Sequence, residues 1–209
     1  HDLHTLRLCT SGGEPLPGDV LEAFRKVFPV PLTEGYGLTE ATAIVSVNLP
    51  EKSKPGSIGP PLDNLEIKIV NDNGQGQPGN REGEIWIKGP NVMKGYHKLP
   101  KETEETITSD RWLKTGDYGK LDEEGFLWIT GRKKELIIIS GENVSPTEIE
   151  HVISRHEKVF EVAVVGVSDK VRGEVPKAFV ALREHATCTE EEIREYCMSR
   201  LPHYKVPKY

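Results

Sequence analysis

The stretch Gly131–Glu150 reads GRKKELIIISGENVSPTEIE, and its order of residue types marks the start of a domain. KELIIIS is a short apolar run rich in β-branched residues, so it predicts a strand. GENVSP predicts a loop. Pro146 suits the first turn of the following helix, where an N–H has no intrahelical acceptor anyway. Thr147–His156 is that helix, with Ile149, Val152 and Ile153 on one face. Downstream, FEVAVVGV (160–167) and AFVALRE (178–184) predict strands. Thr189–Leu201 predicts a helix capped by Thr189, with acidic residues in its first turn to complement the helix dipole. A β-α-β-β-α order within residues 134–209 describes a small α+β domain, with its boundary at Lys133–Lys134.

Upstream of the boundary the pattern is different. LEIKIV (65–70) and GEIWIK (83–88) alternate in polarity around the turn signal NDNG (Asn71–Gly74). FLWIT (126–130) pairs with YGKLD (118–122) across a turn at Glu123–Gly125, and Leu99–Pro100 introduces a short polar helix, KETEETI. Residues 62–133 therefore predict a β-rich subdomain. In residues 1–61, Leu6–Thr10 predicts a strand followed by the loop SGGEPLPG. Asp19–Phe28 carries Val20, Leu21, Phe24, Val27 and Phe28 at helical spacing, and the loop TEGYGLTE (33–40) leads into a helix starting near Thr39. The fold class expected is α/β and α+β: the end of an α/β subdomain, a β-rich subdomain and a small α+β domain.

The composition narrows the function classes. With 33 acidic against 27 basic residues the net charge is −6, which gives no electrostatic reason to expect nucleic acid as a partner. No run approaches the roughly 20 apolar residues that span a bilayer. Cys9, Cys188 and Cys197 are odd in number and lack C-x-x-C spacing, which argues against a disulfide framework or a structural zinc site, so a cytoplasmic setting is expected. The chain opens HDLHTLRLCT with no Met and no lead-in, so its ends read as cut points in a longer polypeptide.

Several short groups bear chemistry. Ser11-Gly12-Gly13-Glu14 reads either as a tight turn or as a place where backbone approaches a flat ligand closely. In Tyr36-Gly37-Leu38-Thr39-Glu40, a Thr at a helix start presents a hydroxyl and backbone N–H groups to an anion, and a neighbouring Glu suits Mg²⁺. Tyr36 offers a planar face to a purine. The alternative is a Thr N-cap with Glu in the first turn. Asp117, beside Gly116 at an expected strand end, reads as a turn residue or as an acceptor for two ribose hydroxyls. Arg132 reads as a solvated boundary residue or as a guanidinium for a ribose or phosphate oxygen. GYGLTE is not G-x-G-x-x-G, and no G-x-x-x-x-G-K-[ST] occurs, so neither a dinucleotide fingerprint nor a P-loop is supported.

In order and approximate spacing, SGGEPL (11–16), EGYGLTE (34–40), GEIWIKG (83–89), KTGD (114–117), GRKKELIIISGENVSPTEIE and LPHYKVP (201–207) resemble the adenylate-forming acyl-CoA synthetase superfamily, which includes luciferases and peptide-synthetase adenylation domains. The resemblance covers nearly the whole chain and is closest to fatty acyl-CoA ligases. It implies an acid–thiol ligase that uses ATP, Mg²⁺ and coenzyme A to make acyl-AMP and then acyl-CoA. It implies that Gly12, Gly13 and Glu14 border the adenine and that Tyr36, followed by Gly37, stacks on it. Thr39 would contact phosphate, Glu40 would hold Mg²⁺, and Asp117 and Arg132 would bind ribose. Lys134 would be the hinge before a mobile C-terminal domain, and Gly141 would meet the pantetheine arm. The family's Ser/Thr/Gly-rich phosphate loop is expected upstream of His1 and its catalytic Lys after Tyr209, so the chain alone is expected not to turn over. The acid implied first is a medium- or long-chain fatty acid, then an aryl acid. A peptide-synthetase-type adenylation domain and a non-catalytic homologue or interaction fragment are the rival readings.

Overall fold

The order strand, helix, strand at the start of the chain builds a parallel pair. In the computed structural model, which describes residues 4–209 apart from the Asp19 side chain, β1 (Cys9–Gly12) lies parallel to β2 (Leu32–Tyr36). The helix α1 (Gly18–Val27) makes the crossover between them. His1, Asp2 and Leu3, where the first subdomain was expected to begin, lie outside the described residues. The strand expected at Leu6–Thr10 sits later, at β1. TEGYG, read as loop from its glycines, is mostly strand, because β2 is paired on both sides: with β1, and antiparallel with the two-residue β3 (Ser46–Val47). Of the apolar stripe on α1 only Leu21 is buried, and Val27 stays 70% exposed.

A four-stranded sheet follows, in the order β4 (Glu66–Val70), β5 (Gly83–Lys88), β6 (Leu113–Leu121), β7 (Leu127–Arg132). β4 and β5 pair antiparallel, and Ile69 opposite Ile85 and Ile67 opposite Ile87 face the same side. That side forms a core of Ile69, Ile85, Ile87, Leu113 and Leu127, joined by Ala41 and Val45 from the earlier segment. Burying one such side chain contributes about 1.5–3 kcal/mol. The NDNG turn closes as expected, with Gly74 N–H donating to the Asn71 carbonyl at 2.9 Å. The polar helix α2 runs Pro100–Thr106.

The chain divides into two compact units, residues up to Ile129 and Thr130–Tyr209. This division falls just upstream of Lys133–Lys134, and the segments on either side of residue 61 share one core. In the second unit the sheet order is β10-β11-β8-β9, with β8 (Ile137–Ile139), β9 (Glu142–Val144), β10 (Val159–Asp169) and β11 (Gly173–Leu182). GENVSP was expected to be loop, yet it contributes β9, because Ser140-Gly141 turns the chain back into register, Ile139 opposite Glu142. The helices are shorter than expected: α3 is Pro146–Ile153 and α4 is Glu190–Met198. Thr189 caps α4 by accepting from Glu192 N–H at 3.2 Å. Ile137, Ile139, Val144, Ile149, Ile153 and Val159 are the centre of this unit's core. Among the described residues no helix is long and apolar enough to cross a membrane.

Candidate functional site

Parallel pairing brings two glycine-bearing segments side by side. Gly12 at the end of β1 stands opposite Gly35 near the end of β2, so SGGE and YGLTE leave from the same edge of the sheet. In open α/β sheets ligands bind outside the carboxyl ends of parallel strands. Gly13 follows with φ +94°, a left-handed value that favours glycine, and Glu14 is exposed. At Gly37 a Cβ would lie 1.4 Å from the Ala43 carbonyl oxygen, so no side chain fits there.

This close approach also explains the missing helix at Thr39. The chain makes a single 3-10 turn, Thr39–Ala41, and then Thr42 and Ala43 take φ +53° and +73°. Ala41 and Ala43 N–H both donate to the Leu38 carbonyl, and Val45 N–H returns to the Tyr36 carbonyl at 2.8 Å. Asn91 pins the reversal: its Nδ2 donates to the Ala41 carbonyl at 2.9 Å, while Thr42 Oγ1 donates to the Asn91 carbonyl at 2.7 Å. The helix N-terminus expected to receive an anion is therefore absent. An exposed Thr39 opens the short turn that stands there instead.

The Tyr36 hydroxyl donates to the Asp117 carboxylate across a sequence separation of 81 residues. Asp117 is 4% exposed and lies inside β6, correcting the strand end expected for it. Tyr118 pairs with Glu84 and Lys114 with Trp86, which leaves Thr115, Gly116 and Asp117 opposite Ile85 alone. Such a bulge re-aims side chains within a ladder. Thr115 Oγ1 holds it by donating to the Ile85 carbonyl at 2.7 Å and accepting from Asp117 N–H at 3.0 Å, and Glu84 accepts from Gly116 N–H at 3.2 Å.

Glu40 Oε1 accepts from the Tyr96 hydroxyl at 2.8 Å, and this bond, with burial, raises the Tyr96 phenol above its ordinary value. The other Glu40 oxygen has no hydrogen-bond partner among the described residues, and an exposed threonine hydroxyl adjoins it in sequence. An oxygen donor set of this kind fits Mg²⁺. Asn91 and Tyr96 were missed by the sequence reading. Their only local signal is a polar and an aromatic residue in GPNVMKGY (89–96). Glu34 was missed too: it accepts from Leu16 N–H at 3.3 Å, and burial pushes its carboxyl up.

In the second unit Arg132 is exposed at the end of β7, and Lys134 is exposed in the 3-10 turn Lys133–Glu135. Gly141 forms the tip of the β8–β9 hairpin with φ +90° after Ser140 at +53°, the positive pair that a two-residue hairpin turn requires. A further feature had no sequence signal: a cleft of about 350 Å³ lined by Asp169, Arg172, Arg194, Met198, His203 and Lys208. Lys208 Nζ sits 2.6 Å from Asp169, and together with the Arg172 and Val171 N–H groups it holds that carboxyl well below the usual range. The Arg172, Arg194 and His203 side chains have no hydrogen-bond or ion-pair partner among the described residues.

Residues 1–97 match the family model for the AMP-binding enzyme and residues 148–209 that for the AMP-binding enzyme C-terminal domain. The chain belongs to the AMP-binding, adenylate-forming enzymes. It is 44% identical over 210 residues to the long-chain-fatty-acid–CoA ligase of Bacillus subtilis strain 168, covering 100% of this chain and 37% of that relative. The o-succinylbenzoate CoA synthetase from Bacillus subtilis, solved with the acyl-adenylate intermediate OSB-AMP, superposes with a TM-score of 0.88 at 42% identity, over 98% of this chain and 42% of that one. The ATP-bound MatB from Rhodopseudomonas palustris superposes with a TM-score of 0.90 at 35% identity, over 96% and 40%. The chain thus spans about two fifths of these relatives' length.

Proposed function

We propose that the chain is part of an ATP-dependent acid–CoA ligase that makes acyl-AMP and passes the acyl group to coenzyme A. The observation that carries this reading is the Tyr36–Asp117 pair beside the glycine-lined edge of β1 and β2. Tyr36 supplies a ring for adenine, with Gly12, Gly13 and Glu14 bordering it and Gly37 keeping the approach clear. Asp117, fixed by the tyrosine hydroxyl, accepts ribose hydroxyls, and Arg132 supplies a guanidinium for a ribose or phosphate oxygen. Thr39 offers its hydroxyl to a phosphate. Glu40 would hold Mg²⁺, which when bound neutralises charge on the phosphates.

In the first half-reaction a carboxylate oxygen of the acid attacks the α-phosphate of ATP and pyrophosphate leaves. In the second the CoA thiolate attacks the acyl carbonyl and AMP leaves. The residues named here position and orient the nucleotide, and orientation of bound reactants carries much of such a barrier reduction. Gly141, exposed at its hairpin tip, would meet the pantetheine arm. Arg172, Arg194 and His203, without side-chain partners among the described residues, suit the phosphates of coenzyme A. Lys134, exposed beside the junction of the units, absorbs the backbone change between half-reactions.

A medium- or long-chain fatty acid is the first choice of acid, supported by the Bacillus subtilis fatty-acid ligase. An aryl acid is the second, supported by the succinylbenzoate synthetase. Acid-dependent exchange of labelled pyrophosphate into ATP, run on the protein carrying this chain with fatty and aryl acids in parallel, tests both. Exchange with fatty acids is expected. Exchange with aryl acids alone selects the second reading, and exchange with neither rejects the ligase.

A further inference from the structure

A cluster in the second unit lies outside the residues assigned above to the ligase. His156 closes the turn after α3, and its ring packs edge-on against Tyr196 of α4 with centroids 4.8 Å apart. Cys188 precedes the cap of α4, and Glu192 lies in that helix's first turn, four residues on. One ligand-capable atom from each of His156, Cys188 and Glu192 lies within 4.8 Å of the other two. His156 Nε2 stands 3.7 Å from Glu192 Oε1. His156 is buried and the other two are half-buried, so the donors converge at the surface over a buried imidazole. The cluster already holds a cation, since Lys158 Nζ lies 2.6 Å from the same Glu192 oxygen.

We propose that His156, Cys188 and Glu192 form a binding site for a borderline d-block cation, in the first place Zn²⁺. An imidazole nitrogen, a thiolate sulfur and a carboxylate oxygen are the donor types that zinc selects, with a water completing a tetrahedron. With bonds of about 2.0–2.3 Å, tetrahedral ligands stand roughly 3.3–3.8 Å apart, so the donors must close by about 1 Å. Side-chain rotation supplies that movement. Charge balances in both states: Glu192 carboxylate faces Lys158 ammonium without the metal, and Zn²⁺ faces the carboxylate and the Cys188 thiolate with it. The step releases the thiol proton to solvent and sends the half-exposed Lys158 side chain outward. Coordination through Nε2 leaves the imidazole proton on Nδ1 and gives up the long 3.3 Å contact from Lys158 N–H. The metal would clip the turn after α3 to the start of α4.

Titration of the chain with Zn²⁺ and with Co²⁺ as a spectroscopic stand-in tests this. One equivalent is expected to bind, with a thiolate-to-cobalt charge-transfer band. Cys188→Ser should abolish the band and weaken Zn²⁺ binding by more than the roughly tenfold that losing an outer-sphere partner costs. Lys158→Ala removes the competing ammonium and should tighten binding several-fold. Both positions are partly exposed, so neither variant threatens folding. A charge-transfer band that persists in Cys188→Ser, or binding in Lys158→Ala no tighter than in the parent, overturns the proposal.

Discussion

The two units present their candidate groups in opposite ways. In the first, Tyr36 is bonded to Asp117, Glu40 to Tyr96, and the loop between them is pinned by Asn91. In the second, Arg172, Arg194 and His203 line a cleft with no hydrogen-bond or ion-pair partner among the described residues, and Lys134 and Gly141 are exposed. Groups held by protein hydrogen bonds are preorganised, so a ligand meets them without an ordering cost. Unpartnered side chains keep their water and their rotamer freedom until a ligand arrives. A rigid nucleoside suits the first arrangement, and a long flexible polyanion suits the second.

The contrast breaks first at Gly37. Gly37→Ala puts a methyl into the Ala43 carbonyl, so the loop must open, at a cost of about 4 kcal/mol. Urea unfolding should show a much lower midpoint for the first unit, and an unchanged midpoint would show that the loop is not rigid. Asp117→Ala sharpens the contrast. It should cost about 2–4 kcal/mol of AMP affinity by calorimetry, whereas Arg172→Ala should leave AMP affinity alone and weaken coenzyme A. Equal losses of AMP affinity in the two variants would erase the division of labour.

The smallest effect concerns pH. Burial disfavours the Asp122 anion, but Lys54 at 2.7 Å, Phe126 N–H and Trp128 outweigh it and lower its pKa from 3.8 to about 2. Because the folded value lies below the unfolded one, the stabilisation is full above about pH 4 and is lost as pH falls towards 2. Asp122→Asn should flatten the acid dependence of the first unit's stability in that window, by about 1 kcal/mol or less. The same slope in parent and variant would contradict the assignment.

Regular alternation made β4 and β5 legible, because Ile67 and Ile69 recur at every second position opposite Ile87 and Ile85. In the second unit the strands other than β9 and both helices were legible from their apolar runs and helical spacing, down to the Thr189 cap. What escaped is what distant residues decide. TEGYG reads as turn residues, and only pairing with β1 and β3 makes it a strand. Thr39 reads as a helix start, but Asn91, some fifty residues away, holds the left-handed Thr42 and Ala43 that end it. Asp117 was singled out from KTGD alone, while the bulge that carries it depends on the register of β6 against β5. The basic cleft assembles Asp169, Arg194 and His203 from three separate segments, a grouping that no local pattern contains.

The most direct measurement is an amide chemical-shift titration of the chain, first with AMP and then with coenzyme A. AMP should move the resonances of Gly12, Gly13, Gly37, Gly116 and Asp117, and coenzyme A those of Gly141, Arg172 and Arg194. If AMP leaves the first set still, or moves only residues beyond Thr130, the nucleotide site has been assigned to the wrong half of the chain.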